Sequence, residues 1–222
     1  MTNPKHEFQQ KFNSIAKEYD LISNDYAVKR RTESLNIPNS KLILETGSGS
    51  GVVTKSYNSK IICSDFSFEM CKQAKSKHED VICCDAESLP FKEKIFDGVI
   101  CAEMIYYLEN PKKFISDSRK ILKNNGIIAF SLPSENMNAI DKMRKFLRSL
   151  GFKNMYFNDG IKNFTNIEIL KSILIQNGFK IIQIKKQILF PFKSFDKINR
   201  MLEKTIFKNF SMFLILHAQL ED

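Results

Sequence analysis

The stretch LILETGSGSG, residues 42–51, constrains this chain more than any other. An apolar run suited to a buried strand leads to an acid, Glu45. Three glycines spaced by two follow: Gly47, Gly49 and Gly51. A glycine-rich turn leaving a strand presents bare backbone N–H groups to a ligand. The dinucleotide fingerprint G-x-G-x-x-G fits only in part, because position 52 is Val52 and the third glycine arrives one residue early. A carboxylate at Glu45 suits an amine-bearing ligand better than a pyrophosphate, which it would repel. No Gly-Lys-Ser/Thr closes the stretch, which excludes a P-loop.

The rest of the chain alternates strand and helix. Strands are expected at 41–46, 60–65, 80–84, 96–101 and 126–132, with helices at about 50–57, 67–77 and 111–123 between them. Asn110 and Pro111 read as the N-cap and first residue of the last helix, and Gly126 as its stop. Such alternation implies a parallel sheet with helices on both faces. Helices are expected before it at 6–18 and 25–36. After it come an amphipathic helix at 136–150, a loop holding Met155, Tyr156 and Phe157, and a helix opened by a capping box from Thr165 to Glu168 and closed by Gly178. A further helix near 195–208 separates strands at 179–189 and 211–219, which would add an antiparallel edge.

Two more acids fall at strand tips. Asp65 ends the second strand, where a carboxylate can accept two ribose hydroxyls. Asp85 ends the third, where it can accept from an adenine amino group. With Glu45, three acids at three successive tips describe a nucleoside carrying an amino-acid tail.

These segments resemble the class I S-adenosylmethionine-dependent methyltransferases, in particular their small-molecule branch. LETGSGSG is similar to the family's E/D-x-G-x-G-x-G motif, SDFSFEMCKQAK to its second-strand motif, and residues 83–131 to its third to fifth strands. The resemblance implies an α/β fold with a Rossmann-like seven-stranded sheet, mostly parallel with an antiparallel last strand, helices on both faces and a helical cap. It implies one domain over 1–222, with its core at about 38–135 and 164–222, N-terminal helices at 5–36 and a cap insertion at about 136–163. S-adenosylmethionine would be the cofactor, S-adenosylhomocysteine the product, and no metal is expected. Gly47, Ser48, Gly49 and Gly51 would line the methionyl moiety, and Glu45 would hold its amino group, directly or through the loop. Asp65 would take the ribose hydroxyls. Phe66 and Met70 would pack on the adenine, and Asp85 with the backbone of Ala86 would read its edge. Cys101 to Glu103 would sit near the methyl group. The segment at 12–20 resembles one found in quinone and other small-molecule methyltransferases, which would bring Tyr19 to the cofactor's carboxylate end.

The chain also departs from the family pattern. The turn before the fifth strand is Asn124-Asn125-Gly126 rather than Pro-Gly-Gly. Tyr106 and Tyr107 stand where many relatives carry two histidines, so a histidine base is not expected. Methyl transfer from a sulfonium is an in-line displacement that depends mainly on alignment, with a base needed only if the acceptor must lose a proton. Glu103, Tyr106 and Tyr19 are the candidates for that role. His6 and His78 read as exposed, and His217 as a residue of the last strand.

The acceptor is narrowed by elimination. No Asn/Asp-Pro-Pro-Tyr follows the fourth strand, no proline precedes a cysteine, and only Glu103 stands where arginine methyltransferases need two glutamates. A small-molecule acceptor, methylated at O, N or C, is the leading expectation. The net charge of +9 keeps an RNA acceptor or an acidic carrier-protein partner open, although the lysines are scattered rather than clustered. A cofactor-binding regulatory subunit is the third reading. The five cysteines lack zinc-site spacing and read as reduced thiols of a cytoplasmic protein. No apolar run is long enough for a membrane span, and the N-terminus has no signal-peptide core. The sequence does not fix the oligomeric state.

Overall fold

The computed structural model describes residues 4–22, 25–134, 166–188, 196–205 and 211–221. Three N-terminal helices, α1 (Pro4–Ile15), α2 (Tyr19–Ile22) and α3 (Asp25–Leu35), precede the sheet. Strands β1 (Leu42–Thr46), β2 (Lys60–Asp65), β3 (Asp80–Cys83), β4 (Phe96–Ala102) and β5 (Leu122–Pro133) follow, with α4 (Phe68–Lys75) between β2 and β3 and α5 (Pro111–Ile121) between β4 and β5. The chain continues through α6 (Ile167–Gln176), β6 (Phe179–Gln187), α7 (Asp196–Leu202) and β7 (Phe213–Leu220). The expected helix at 136–150 and the loop at 155–157 lie outside the described residues.

The seven strands are ordered β3-β2-β1-β4-β5-β7-β6. The first five pair in parallel, and β7 runs antiparallel to both β5 and β6. Strand order reverses between β1 and β4, so a crevice opens there beyond their carboxyl ends, where open α/β sheets bind ligands. The inner strands are apolar almost throughout because both faces are covered. Leu44 and Val99 face the layer built with Phe114, Leu170 and Leu174, whereas Ile43 and Ile100 face the layer built with Leu35, Val53 and Ala74. Glu45 continues the Ile43 face of β1, which takes it into the second layer.

Local chemistry overrode the sequence expectation at four places. Residues 52–56 form turns, not the helix expected at 50–57. Gly51 has φ +77°, and the Thr54 side chain is drawn inward to Glu45 at 2.5 Å, both incompatible with a regular exposed helix face. Helix α5 ends at Ile121, and Gly126 lies inside β5. Its stop is the direct entry of Leu122 into the sheet beside Phe96, with Asn125 in the left-handed region absorbing the irregularity. Helix α6 is capped by Asn166, whose side chain accepts from Glu168 N–H at 2.8 Å, so the cap sits one residue after the expected Thr165. His78 is half-buried against Gly51 rather than exposed.

Two polar contacts hold the frame. Asp97 accepts from the N–H groups of Lys41 (3.0 Å) and Leu42 (2.8 Å) and pairs with Lys123 at 2.7 Å, which fixes the start of β4 against β1. Arg30 of α3 is only 1% exposed. It donates to Glu203 at 2.7 and 2.9 Å and to the Tyr26 hydroxyl at 3.0 Å, tying the N-terminal helices to the segment after α7.

Removing Glu203 strands the buried guanidinium. Glu203→Ala is expected to lower stability by about 3–5 kcal/mol in urea unfolding. Partial burial pushes the Asp97 carboxyl up, but Lys123 and the two N–H groups outweigh it and hold the group below its ordinary 3.8. Its contribution is therefore present at neutral pH and fades as pH falls through the folded value. Asp97→Asn should be less stable than wild type at pH ~7, with the gap closing below pH ~4 in matched urea titrations.

Candidate active site

The site grows from the turn after β1. Gly47, Gly49 and Gly51 all have φ between +55° and +77°. At Gly47 a second constraint operates, because a Cβ there would collide with Met104 beyond the tip of β4. The turn is also tied down. Ser48 N–H donates to Ser64 O at 3.0 Å, Gly51 N–H to Ser48 O at 2.9 Å, and Lys77 to Ser50 O at 3.0 Å. The Ser50 hydroxyl bonds Asp20, which pairs with Lys77 at 2.9 Å.

Asp65, at the tip of β2, accepts from Gly49 N–H with one oxygen and from Ser67 N–H with the other, both at 2.8 Å. Burial pushes its carboxyl up, and the Ser67, Gly49 and Phe66 N–H groups counter that. Each carboxylate oxygen keeps acceptor capacity for an incoming hydroxyl. Asp85, beyond β3, accepts from Glu87 N–H at 2.8 Å and pairs with Lys5 of α1 at 2.7 Å. Lys5 also pairs with Glu87. Met70 and Cys101 are buried in the wall behind these groups, Ser48 is buried within the turn, and Phe66 and Ala86 are half-buried at its rim. Burial pushes the Cys101 thiol up to about 12.

Glu45 is 0% exposed beneath the turn. The Thr54 hydroxyl donates to its Oε2 at 2.5 Å, and the Cys63 thiol lies 3.8 Å from the same oxygen. Burial raises its carboxyl from 4.5 to about 7, with Thr54 and Cys63 offsetting part of the rise. So placed, Glu45 reaches a ligand in front of the turn only through the turn itself.

Helix α1 forms the facing wall. Lys5, Gln9 and Asn13, four apart on one side of the helix, reach Asp85, the Phe66 carbonyl (2.9 Å) and the Ser67 hydroxyl (2.6 Å). Phe8 and Phe12 on a neighbouring stripe meet the Tyr107 ring edge-on, at centroid distances of 5.0 and 5.5 Å. Tyr19 lies over the turn; a Cβ at Gly49 would be 3.5 Å from its ring. Sequence reasoning missed the roles of Lys5, Gln9 and Asn13, although the four-residue spacing of polar side chains was a visible signal.

The tip of β4 carries the expected catalytic candidates. Glu103 has φ +54°, a conformation that costs a non-glycine residue energy and concentrates at functional sites. Ser131 donates to its Oε1 at 2.8 Å and Tyr106 to its Oε2 at 3.2 Å. The structure thus brings Glu103 and Tyr106 together. Tyr19 stands apart over the turn, its hydroxyl pushed up by burial.

A glycine turn, an acid at the second strand tip and an acid beyond the third, all at the reversal point of a mixed sheet, define a nucleoside-cofactor transferase. Comparison with known proteins is specific. Residues 44–130 match the family model described as "Methyltransferase domain". An uncharacterized protein of Methanocaldococcus jannaschii, MJ1123, is 32% identical over 196 residues, covering 85% of this chain and 89% of that one. The ubiquinone/menaquinone biosynthesis C-methyltransferase UbiE of Pseudomonas aeruginosa is 23% identical over 202 residues, covering 76% and 79%. Among solved structures, a SAM-dependent methyltransferase of Thermotoga maritima, described as a possible histamine N-methyltransferase, superposes with a TM-score of 0.71 at 18% identity, covering 95% and 98%. The chain belongs to the class I S-adenosylmethionine-dependent methyltransferases.

The turn predicts its own sensitivity. Gly47→Ala adds a side chain at φ +60° against Met104. Strain of about 1–3 kcal/mol should weaken S-adenosylhomocysteine binding roughly tenfold or more in calorimetry.

Proposed function

We propose that this methyltransferase acts on a small-molecule acceptor, with the cofactor seated between the glycine turn and α1. The observation that carries the reading is the set of acceptors and bare backbone around one crevice: Gly47 and Gly49 without side chains, Asp65 with acceptor capacity to spare, and Asp85 at the far edge. These residues fit a nucleoside joined to an amino acid. Asp65 would accept the ribose hydroxyls while holding Gly49 N–H. Asp85 and the Ala86 backbone would read the adenine edge, with Lys5 sharing or yielding one Asp85 oxygen. Glu45 would favour the amino group by its field through the turn, and Tyr19 would close the carboxylate end. When bound, the sulfonium supplies an activated methyl group.

The residues around Glu103 would prepare the acceptor. Ser131 and Tyr106 fix its carboxylate, and a carboxylate so held can take a proton from an acceptor hydroxyl or amine. The neighbouring rings of Phe8, Phe12, Tyr19 and Tyr107 favour a compact apolar or aromatic acceptor, as does the similarity to a quinone C-methyltransferase. Several carboxylates at the crevice would repel a phosphate backbone, which disfavours RNA despite the net charge of +9.

Calorimetry with S-adenosylhomocysteine tests the cofactor seat. Asp65→Ala should bind at least roughly tenfold more weakly than wild type, since a charged acceptor and the latch on Gly49 are lost together. Equal affinity would remove Asp65 from the seat. Transfer of a labelled methyl group to a panel of quinols, phenols and amines tests the acceptor class. On any acceptor that must lose a proton, Glu103→Gln should lower kcat by about 10²-fold or more with cofactor affinity unchanged. An unchanged kcat would leave Glu103 a structural residue.

A further inference from the structure

Behind the glycine turn, on the side away from the crevice, three groups of different chemistry converge from distant parts of the chain. Glu45 comes from β1, Cys63 from β2 and His78 from the turn after α4. One ligand-type atom from each lies within 4.8 Å of the other two. Glu45 and Cys63 are each 0% exposed, while His78 is half-buried and links the cluster to the surface. We propose that Glu45, Cys63 and His78 form a binding site for a divalent transition metal, zinc being the best match.

The cluster is incompletely satisfied by the protein alone. Oε2 of Glu45 accepts from Thr54 at 2.5 Å and faces the Cys63 sulfur at 3.8 Å, and a His78 ring nitrogen bonds Gly51 O at 2.8 Å. Oε1 of Glu45 is buried with no hydrogen-bond partner, and so is the Ser48 hydroxyl in the turn above. A carboxylate oxygen left bare in the interior is costly and points to a missing cation or donor.

The donor set is one that zinc prefers. Thiolate, imidazole and carboxylate ligands bind it at about 2.0–2.3 Å in tetrahedral array, which puts neighbouring donors about 3.3–3.8 Å apart. The Cys63 to Glu45 separation already falls there, and the widest spacing needs to close by about 1 Å. One thiolate and one carboxylate neutralise a divalent ion, with the thiol proton released to solvent. The fourth position would go to a water or the Ser48 hydroxyl. Softer and harder cations fit the mixed sulfur, nitrogen and oxygen donors less well.

The backbone is shaped for this approach. A Cβ on Gly51 would lie 2.8 Å from the His78 ring, so the glycine is what lets the imidazole in. A bound ion would clamp β1, β2 and the end of the α4 turn to the glycine turn from behind. The site shares Glu45 with the proposed cofactor seat but does not depend on cofactor binding.

The test uses the full chain, without an affinity tag, reduced and stripped with chelator. Cobalt(II) titration should give a thiolate-to-metal charge-transfer band saturating at one equivalent, and zinc should displace the cobalt. Cys63→Ser should abolish the band. His78→Gln, nearer the surface and a safer variant for folding, should weaken affinity roughly tenfold or more. Cys83→Ser should leave the band intact. Wild-type protein that binds S-adenosylhomocysteine but neither metal overturns the site and leaves the cofactor reading standing. A band that survives Cys63→Ser also overturns it. Metal binding without S-adenosylhomocysteine binding would do the reverse, supporting the site while removing the cofactor reading.

Discussion

The carboxylate of Asp65 accepts from Gly49 N–H with one oxygen and from Ser67 N–H with the other. Those two bonds join the glycine turn, the tip of β2 and the cap of α4 into one unit. A turn with three successive left-handed glycines has little intrinsic preference for any single shape. It acquires one because an acid at the neighbouring strand tip accepts from its middle glycine. The same oxygens stand where ribose hydroxyls would arrive. Shaping the turn and receiving the nucleoside are therefore one task for Asp65, and the cost of burying it is offset by bonds that also define the crevice.

The second wall follows from the first. Ser67 caps α4 while donating to Asn13, and the Phe66 carbonyl accepts from Gln9, so α1 is seated on the segment that Asp65 organises. Lys5 then reaches Asp85 and Glu87 at the far edge. Two charges meeting one cation there keep α1 in register along its length. The helices after α1 are anchored elsewhere, through buried Arg30 and its bonds to Glu203 and Tyr26. A wall held by exchangeable polar contacts at one end and a buried ion pair at the other can move over the crevice without leaving the fold.

How much of this the sequence revealed depends on whether the governing contact is local. The inner strands were legible because both sheet faces are covered, which makes Leu42 to Leu44 and Val99 to Cys101 uniformly apolar. Asp65 and Asp85 were legible because parallel topology fixes where strand tips lie. The helix expected at 50–57 was not formed, because the contact that decides it, Thr54 to Glu45, points into the core. Gly126 looked like a helix stop because nothing local shows that Leu122 already pairs with Phe96. Lys5 to Asp85 joins residues 80 positions apart and has no local signature.

Glu45 makes the same point from the opposite side. By its place in the motif it belongs to the ligand in front of the turn. By its face of β1 it belongs to the layer with Ile43, and strand periodicity decides the matter. An acid driven into an apolar layer must be neutral, paired or bound to a cation. Its carboxyl is raised to about 7, so at neutral pH it stands balanced between the first state and the others. A positive charge on either side of the thin glycine turn, an ammonium in front or a metal behind, would tip it to the carboxylate. The turn is thus a two-sided partition, and the residue beneath it responds to whichever cation comes within range.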